Sequence, residues 1–407
     1  MRKYLAIDAL FEGFRLLTGS TSVVYFMSKG FPLSGIAGLK MVQSVAGFLL
    51  EVPTGLLADA LDRRLVLGLS AGSGALAFVG YRYGDSFAHF ALAEVALALC
   101  LAIWSGAYEA FALDGMGKET DTETTNRFFH LSSAVNSAAG AAGGWLGGIL
   151  ATGRAALPFE CSAAGLGLIG VAFLAAAKPG TSRSKPLKEI LGATVAALGE
   201  KFRGCVRLFL ESPEARHFLL VFAAVQFAMQ PLIYYWQPWF DGGAAAPSLG
   251  VVYLAFQATL FVVGLAGARL SRKPWGRGPA YQGVAWCLLG TGIMAMGPLG
   301  ATYGGLVAFC VAEAGMALGM ASLKSELAEA CPPNLRASAF SSLALCGRIG
   351  SMLSLGMAAS LLSGQSGRLG TVLAISGIAA AGAALLMTAV AIVAAAPAAG
   401  KTVIKEA

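Results

Sequence analysis

Apolar segments of about twenty residues recur along the whole chain, each long enough for an α-helix to cross the ~30 Å hydrocarbon core of a bilayer. Twelve are read from the sequence: 5–27, 34–58, 65–81, 86–110, 128–150, 155–177, 215–239, 247–270, 279–299, 300–323, 337–362 and 370–395. Only 13% of residues are charged and 57% are hydrophobic, whereas soluble domains carry about 25% charged residues. The predicted fold class is therefore all-α and membrane-embedded, with twelve transmembrane helices. The longest polar stretch separates two six-helix bundles, giving expected domains of 1–177, a linker at 178–214, and 215–407. The middle of the linker, Leu187 to Leu210, reads either as an amphipathic helix on the membrane surface or as solvated linker.

Basic residues set the topology. Twenty-one of the 29 Lys and Arg fall in the even-numbered loops, the linker and the two termini, and four fall on the opposite side. The remaining four, Arg15, Lys40, Arg216 and Arg348, lie within or at the edge of spans. By the positive-inside rule both termini face the cytoplasm, in a plasma or inner membrane. The net charge of +7 is scattered between apolar runs, so it reads as a topology signal and no nucleic-acid partner is expected. The seven cysteines are dispersed without C-x-x-C and read as buried thiols. His89, His130 and His217 sit at span edges without metal-ligand spacing. With no G-x-x-x-x-G-K-[ST] and no catalytic triad, the expectation is a non-enzyme, free of metal and cofactor, acting as a monomer. Asp8, Glu12 and Arg15 interrupt any cleavable signal sequence.

Charges inside spans are the candidate functional groups, because each costs ~2.5–3.5 kcal/mol near mid-membrane and normally faces a cavity or the bundle interior. Asp8, Glu12 and Arg15 share one face of the first span at spacings of four and three. Lys40 and Glu51 lie in the second span, Glu94 and Glu109 in the fourth, and Asn136 in the fifth. Gln226 lies in the seventh, Gln257 in the eighth, Glu313 in the tenth and Arg348 in the eleventh. The third, ninth and twelfth spans have no interior charge, and the sixth has only Glu160 near its outer end. Asp8 and Arg216 are close enough to span ends to snorkel to the interface, and for Lys40 that reading stands level with an intramembrane role. Glu12 with Arg15 reads either as a structural ion pair or as a coupling site. Arg348 requires an acidic partner or a substrate anion, and Glu313 is the candidate partner.

The turn after the second span carries Gly55-Leu56-Leu57-Ala58-Asp59-Ala60-Leu61-Asp62-Arg63-Arg64. It resembles the loop signature of the major facilitator superfamily, G-x-L-a-D-r-x-G-r-[KR], with Ala60 in place of the usual basic residue and Asp62 in place of the second glycine. The turn after the eighth span, with Arg269, Arg272, Lys273 and Arg277, echoes it, as in parallel-repeat transporters. The resemblance implies that helices 1, 4, 7 and 10 line a central cavity and helices 3, 6, 9 and 12 face lipid. It also implies a conformational latch in which Asp59 meets the start of the eleventh helix near Ser338, and Arg63 or Arg64 pairs with Asp114. Gly143, Gly147 and Gly148 of the fifth span match the antiporter motif of drug and metabolite exporters, g-x-x-x-G-P-x-x-G-G, with Gly144 at the proline. Gly106 matches a second exporter motif whose arginine is replaced by Ala102.

The resulting expectation is a secondary transporter that exports a small organic molecule, drug or metabolite, by alternating access in exchange for protons. Arg15, Gln226, Gln257, Arg348, Tyr234 and Trp236 are the candidate substrate contacts. Tyr234 and Trp236 also fit an interfacial aromatic belt. Glu12, Glu51 and Glu109 are the candidate proton carriers, and Asp59, Arg63, Arg64 and Asp114 the latch. The alternatives are uptake symport of a nutrient or organic anion, with Arg15 and Arg348 as the anion site, and a non-transporting or lipid-translocating protein of the same fold.

Overall fold

The computed structural model describes residues 1–116, 122–177, 199–200, 203–204, 206, 209–210, 213–241, 243, 245–270, 273, 278–330, 336–363 and 369–403. Within these, the side chains of 52, 55–56, 58–60, 106, 122–127, 129–130, 213–215, 268, 325, 328–330, 336–341 and 390–403 lie outside the description. Among the described residues there are helices and no strands. In chain order they are α1 (Arg2–Leu16), α2 (Ser22–Ser28), α3 (Leu33–Ala60), α4 (Arg63–Tyr83), α5 (Phe87–Met116), α6 (Thr122–Gly153) and α7 (Leu157–Ala175). They continue as α8 (Pro213–Phe240), α9 (Leu249–Leu270), α10 (Pro279–Leu299), α11 (Tyr303–Ala330), α12 (Arg336–Leu362) and α13 (Leu369–Val403). Ten of these helices are long and apolar enough to cross a membrane by length and composition. The ten include neither α6 nor the first expected span.

The first span departs from the expected continuous helix. It is two helices, α1 and α2, separated by Leu17-Thr18-Gly19-Ser20-Thr21. Hydroxyl side chains in such a run compete for backbone hydrogen bonds and weaken the helix. Here Ser20 Oγ donates to the Gly144 carbonyl of α6 at 2.6 Å. Other boundaries follow capping chemistry. Asp62 caps α4, its Oδ1 accepting from Arg64 N at 2.8 Å and Leu65 N at 3.3 Å, so the residue that departs from the family signature supplies an N-cap. Between α10 and α11 the chain turns at Gly300, whose φ of 61° lies in the left-handed region that glycine tolerates.

Contacts divide the chain into two compact units, Met1–Gly199 with Ser248–Gln257, and Glu200–Pro247 with Ala258–Ala407. In the first, α4 packs on α5 and α7, α3 on α5, and α1 on α6. In the second, α10 packs on α11 and α13, and α8 on α12. Three pairings thus recur, third span with fourth and sixth and first span with fifth, which is the packing of a parallel repeat. Apolar side chains cover the outside of the helices that lack interior charge: Leu76 on α4, Leu168 and Val171 on α7, Val284 on α10, and Ile378 and Leu385 on α13 are all exposed. In lipid, that surface is solvated by the bilayer.

Candidate functional site

Asp8 on α1 is the centre of the polar interior of the first unit. It is 7% exposed, and three donors end on its carboxylate. Trp104 Nε1 reaches Oδ1 at 3.0 Å, while Ser132 Oγ and Asn136 Nδ2 reach Oδ2 at 2.6 and 2.7 Å. The expectation that Asp8 snorkels is corrected: a buried carboxylate with three protein donors is held inside the bundle. Ser132 and Asn136 lie four apart on α6 and therefore share one face. The Trp104 indole is fixed between Phe11 and Tyr108, with ring centroids 3.6 and 4.8 Å away and nearly parallel planes. Tyr108 in turn donates its hydroxyl to the Tyr4 carbonyl.

These residues wall a cavity of about 350 Å³ together with Ser105, Glu109, Phe128 and Ser133. No Lys or Arg lines it among the described residues. Glu109 is exposed at its edge and interacts electrostatically with Asp8. Trp104, Ser132 and the Asn136 amide direct their donors to Asp8, and Asn136 Oδ1 is buried without a hydrogen-bond partner. Among the described residues the charge lining the cavity is therefore negative, with the exposed Ser105 and Ser133 hydroxyls beside it. One turn along α1, Glu12 holds Arg15 in a fork, Nε to Oε2 at 2.8 Å and Nη2 to Oε1 at 2.5 Å.

Behind this face, the first span and α6 approach to backbone contact. A Cβ at Gly143 would collide with the Gly13 carbonyl, and one at Gly147 with the Leu17 carbonyl. The glycines of the antiporter-like motif thus form the groove that receives the break in the first span, as small residues do at close helix crossings. No kinking proline is needed: α6 is one continuous helix. Residues of α9 that cluster with the first unit lie on the same stripe. Tyr253 meets Gly144, and Gln257 Nε2 lies beside Gly140, where an added Cβ would be 2.9 Å away.

The remaining candidates are dispersed. Arg63 Nη1 lies 2.6 Å from Asp114 Oδ2, whereas Arg64 Nη1 donates to the Ala176 carbonyl past the end of α7 at 2.8 Å. The two arginines therefore take different partners. The side chains of Asp59 and Ser338 lie outside the description. Glu51 is exposed on α3. Lys40 forms a buried pair with Glu94 on α5 at 2.6 Å, the two side chains 9% and 0% exposed, which corrects the snorkelling alternative for Lys40.

In the second unit, Gln226 packs where a Cβ on Gly347 would be 3.1 Å from its Cγ, next to Arg348 on α12. One turn on, Gln230 Nε2 donates to Ser351 Oγ at 2.9 Å. Tyr234 is half-buried. Trp236 is 4% exposed and packs toward Phe309 of α11, the position of a core residue rather than an open lining. Glu313 is 1% exposed and forms no ion pair with Arg348; its Oε2 has no hydrogen-bond partner. The expected Glu313–Arg348 pairing is corrected.

The model of the Major Facilitator Superfamily matches residues 17–355. The chain belongs to that superfamily. Solved structures of the same fold align over nearly its whole length. A peptide transporter POT in complex with sulfate has TM-score 0.72 and 15% identity, over 95% of this chain and 93% of that one. A POT family transporter in complex with 5-aminolevulinic acid has TM-score 0.70 and 12% identity, over 95% of each. The nucleoside transporter NupG has TM-score 0.69 and 16% identity, over 95% and 98%. No curated protein matches the sequence significantly. The chain is thus a multi-pass membrane transporter of the superfamily. Asp8, Trp104 and Ser132, which wall this cavity, are not among the sequence-derived substrate contacts or proton carriers, although Ser132 and Asn136 at i, i+4 in an apolar helix were a readable signal.

Proposed function

We propose that this superfamily member exports a small organic cation in exchange for protons, by alternating access. The observation that carries the reading is the Asp8 cavity. The donors of Trp104, Ser132 and Asn136 are spent on Asp8, Asn136 Oδ1 is an acceptor without a partner, and among the described residues its charged lining groups are the carboxylates of Asp8 and Glu109. A ligand that satisfies such a site carries N–H donors and positive charge. At about 350 Å³, the cavity lies at the small end of the ~300–1,000 Å³ typical of small-molecule sites. Exchange follows from competition, because the carboxylates hold either a proton or the substrate's ammonium group. Glu109 is the carrier retained from the sequence candidates, and Asp8 joins it. Glu12 is engaged by Arg15, which also weakens the anion-uptake reading by occupying Arg15. The glycine groove between α6 and the first span supports export through its likeness to the antiporter motif. The protein acts as a monomer in the cell membrane with cytoplasmic termini, and the Arg63–Asp114 pair is the latch.

Proteoliposomes carrying an outward or inward pH gradient test this with three indole isosteres: tryptamine, its alcohol tryptophol and the carboxylate indole-3-acetate. Gradient-driven flux of tryptamine alone, opposite in direction to the proton gradient and lost in Asp8→Asn, is the expected result. Flux of the carboxylate, or cotransport in the direction of the protons, would move uptake symport ahead.

A further inference from the structure

A second, larger cavity of about 800 Å³ lies in the first unit, outside the Asp8 site, between α1, α5 and α7. Its walls run antiparallel. On α1 it extends from Lys3 to Phe14, and along α7 to just past its end from Gly165 to Ala176, eleven steps on each wall, or ~16 Å at 1.5 Å per residue. That matches the ~15 Å depth of one leaflet's hydrocarbon. The two ends differ in chemistry. Lys3, Arg64 and Asp114 sit at one end together with the Tyr4 phenol, whose hydroxyl lies against Gly115, and the other lining residues are apolar. Leu10 and Leu168 line it and are 55% and 71% exposed, so the groove opens sideways where lipid tails lie. Asp114 is already paired with Arg63 at 2.6 Å, leaving Lys3 and Arg64 as the positive charge at the mouth. Arg64 spends one N–H on the Ala176 carbonyl and has four more to offer.

We propose that this groove binds an anionic glycerophospholipid of the leaflet on the side of the N-terminus. Its phosphate lies on Lys3 and Arg64, and one acyl chain runs along Leu10, Leu168, Ile169 and Ala172. The occupant must be apolar over one leaflet's depth and negative at one end, which fits a membrane lipid and excludes a water-soluble anion as sufficient. Native mass spectrometry of the delipidated full-length protein, titrated with dioleoyl phosphatidylglycerol or dioleoyl phosphatidylcholine, provides the test. One phosphatidylglycerol adduct is expected, preferred over phosphatidylcholine and weakened about five-fold by each of Lys3→Gln and Arg64→Gln. Leu168→Trp and, separately, Ala172→Trp block the chain and remove the adduct, with monodispersity showing that each variant is folded. Glycerol phosphate, the headgroup without chains, is expected not to compete. Equal binding of the two lipids, competition by glycerol phosphate, or an adduct that survives both tryptophan variants would overturn the proposal.

Discussion

Gly147→Ala and Gly72→Ala are the same chemical change in two helices, and the packing predicts opposite outcomes. Both positions are helical. Replacing a helix-interior glycine by alanine contributes up to about 1 kcal/mol through propensity, and that contribution is common to both. At Gly72 an added Cβ meets nothing within 4 Å, so the gain stands alone. At Gly147 the Cβ would collide with the backbone carbonyl of Leu17, in the break of the first span. A carbonyl cannot rotate away as a flexible side chain can, so α1 and α6 must separate. Overpacking of this kind costs about 1–3 kcal/mol. The difference between the variants isolates that collision, and corresponds to about five- to 150-fold in the folded-to-unfolded ratio. Thermal unfolding of the two purified variants, side by side in one detergent–lipid mixture, reads it by sign. Gly72→Ala is expected to hold or raise the midpoint and Gly147→Ala to lower it. If both midpoints rise together, the glycine groove is not in backbone contact with the first span and the reasoning fails.

Lys40→Met alone leaves Glu94 buried without its partner and is expected to cost about 3–5 kcal/mol, whereas Lys40→Met with Glu94→Leu recovers most of that; thermal unfolding of the single and double variants checks it. Asp62→Ala removes the N-cap of α4 and is expected to cost about 1 kcal/mol, while Asp62→Asn keeps the cap and stays close to the parent. The Arg63–Asp114 side chains are 33% and 69% exposed, so their pair is worth at most about 1 kcal/mol. Asp114→Asn should therefore shift conformational populations no more than about five-fold, read by spin-label distances between α4 and α5. A larger shift would mean that Asp114 has a stronger partner than Arg63.

The membrane class and the helical architecture were legible because a twenty-residue apolar run has few other uses. The boundary between the ninth and tenth spans at 299/300, where α10 ends at Leu299, and the apolar helices were readable because glycine and the absence of charge act locally. The break in the first span was not, because hydroxyl residues weaken a helix most where a neighbour takes up their side chains, and the acceptor for Ser20 Oγ, the Gly144 carbonyl, lies 124 residues away. Asp8 was misread for the same reason. Its depth in the sequence suits snorkelling, and only the convergence of α5 and α6 supplies Trp104, Ser132 and Asn136. Lys40 and Glu94 each looked anomalous alone, and no periodicity joins residues 54 apart. The resemblance set Asp114 against Arg63 or Arg64, a long-range contact that composition cannot carry, and in the structure it is Arg63 that lies beside Asp114. Conversely, adjacency of the tenth and eleventh spans in the chain suggested Glu313 and Arg348 as partners, but α11 and α12 share little packing.

Proton release from the purified protein on addition of tryptamine tests the central claim most directly. The account predicts protons released in proportion to amine bound, none with tryptophol, and loss of both binding and release in Asp8→Asn. Tryptamine binding with no proton release, or release undiminished in Asp8→Asn, would contradict cation–proton competition in this cavity.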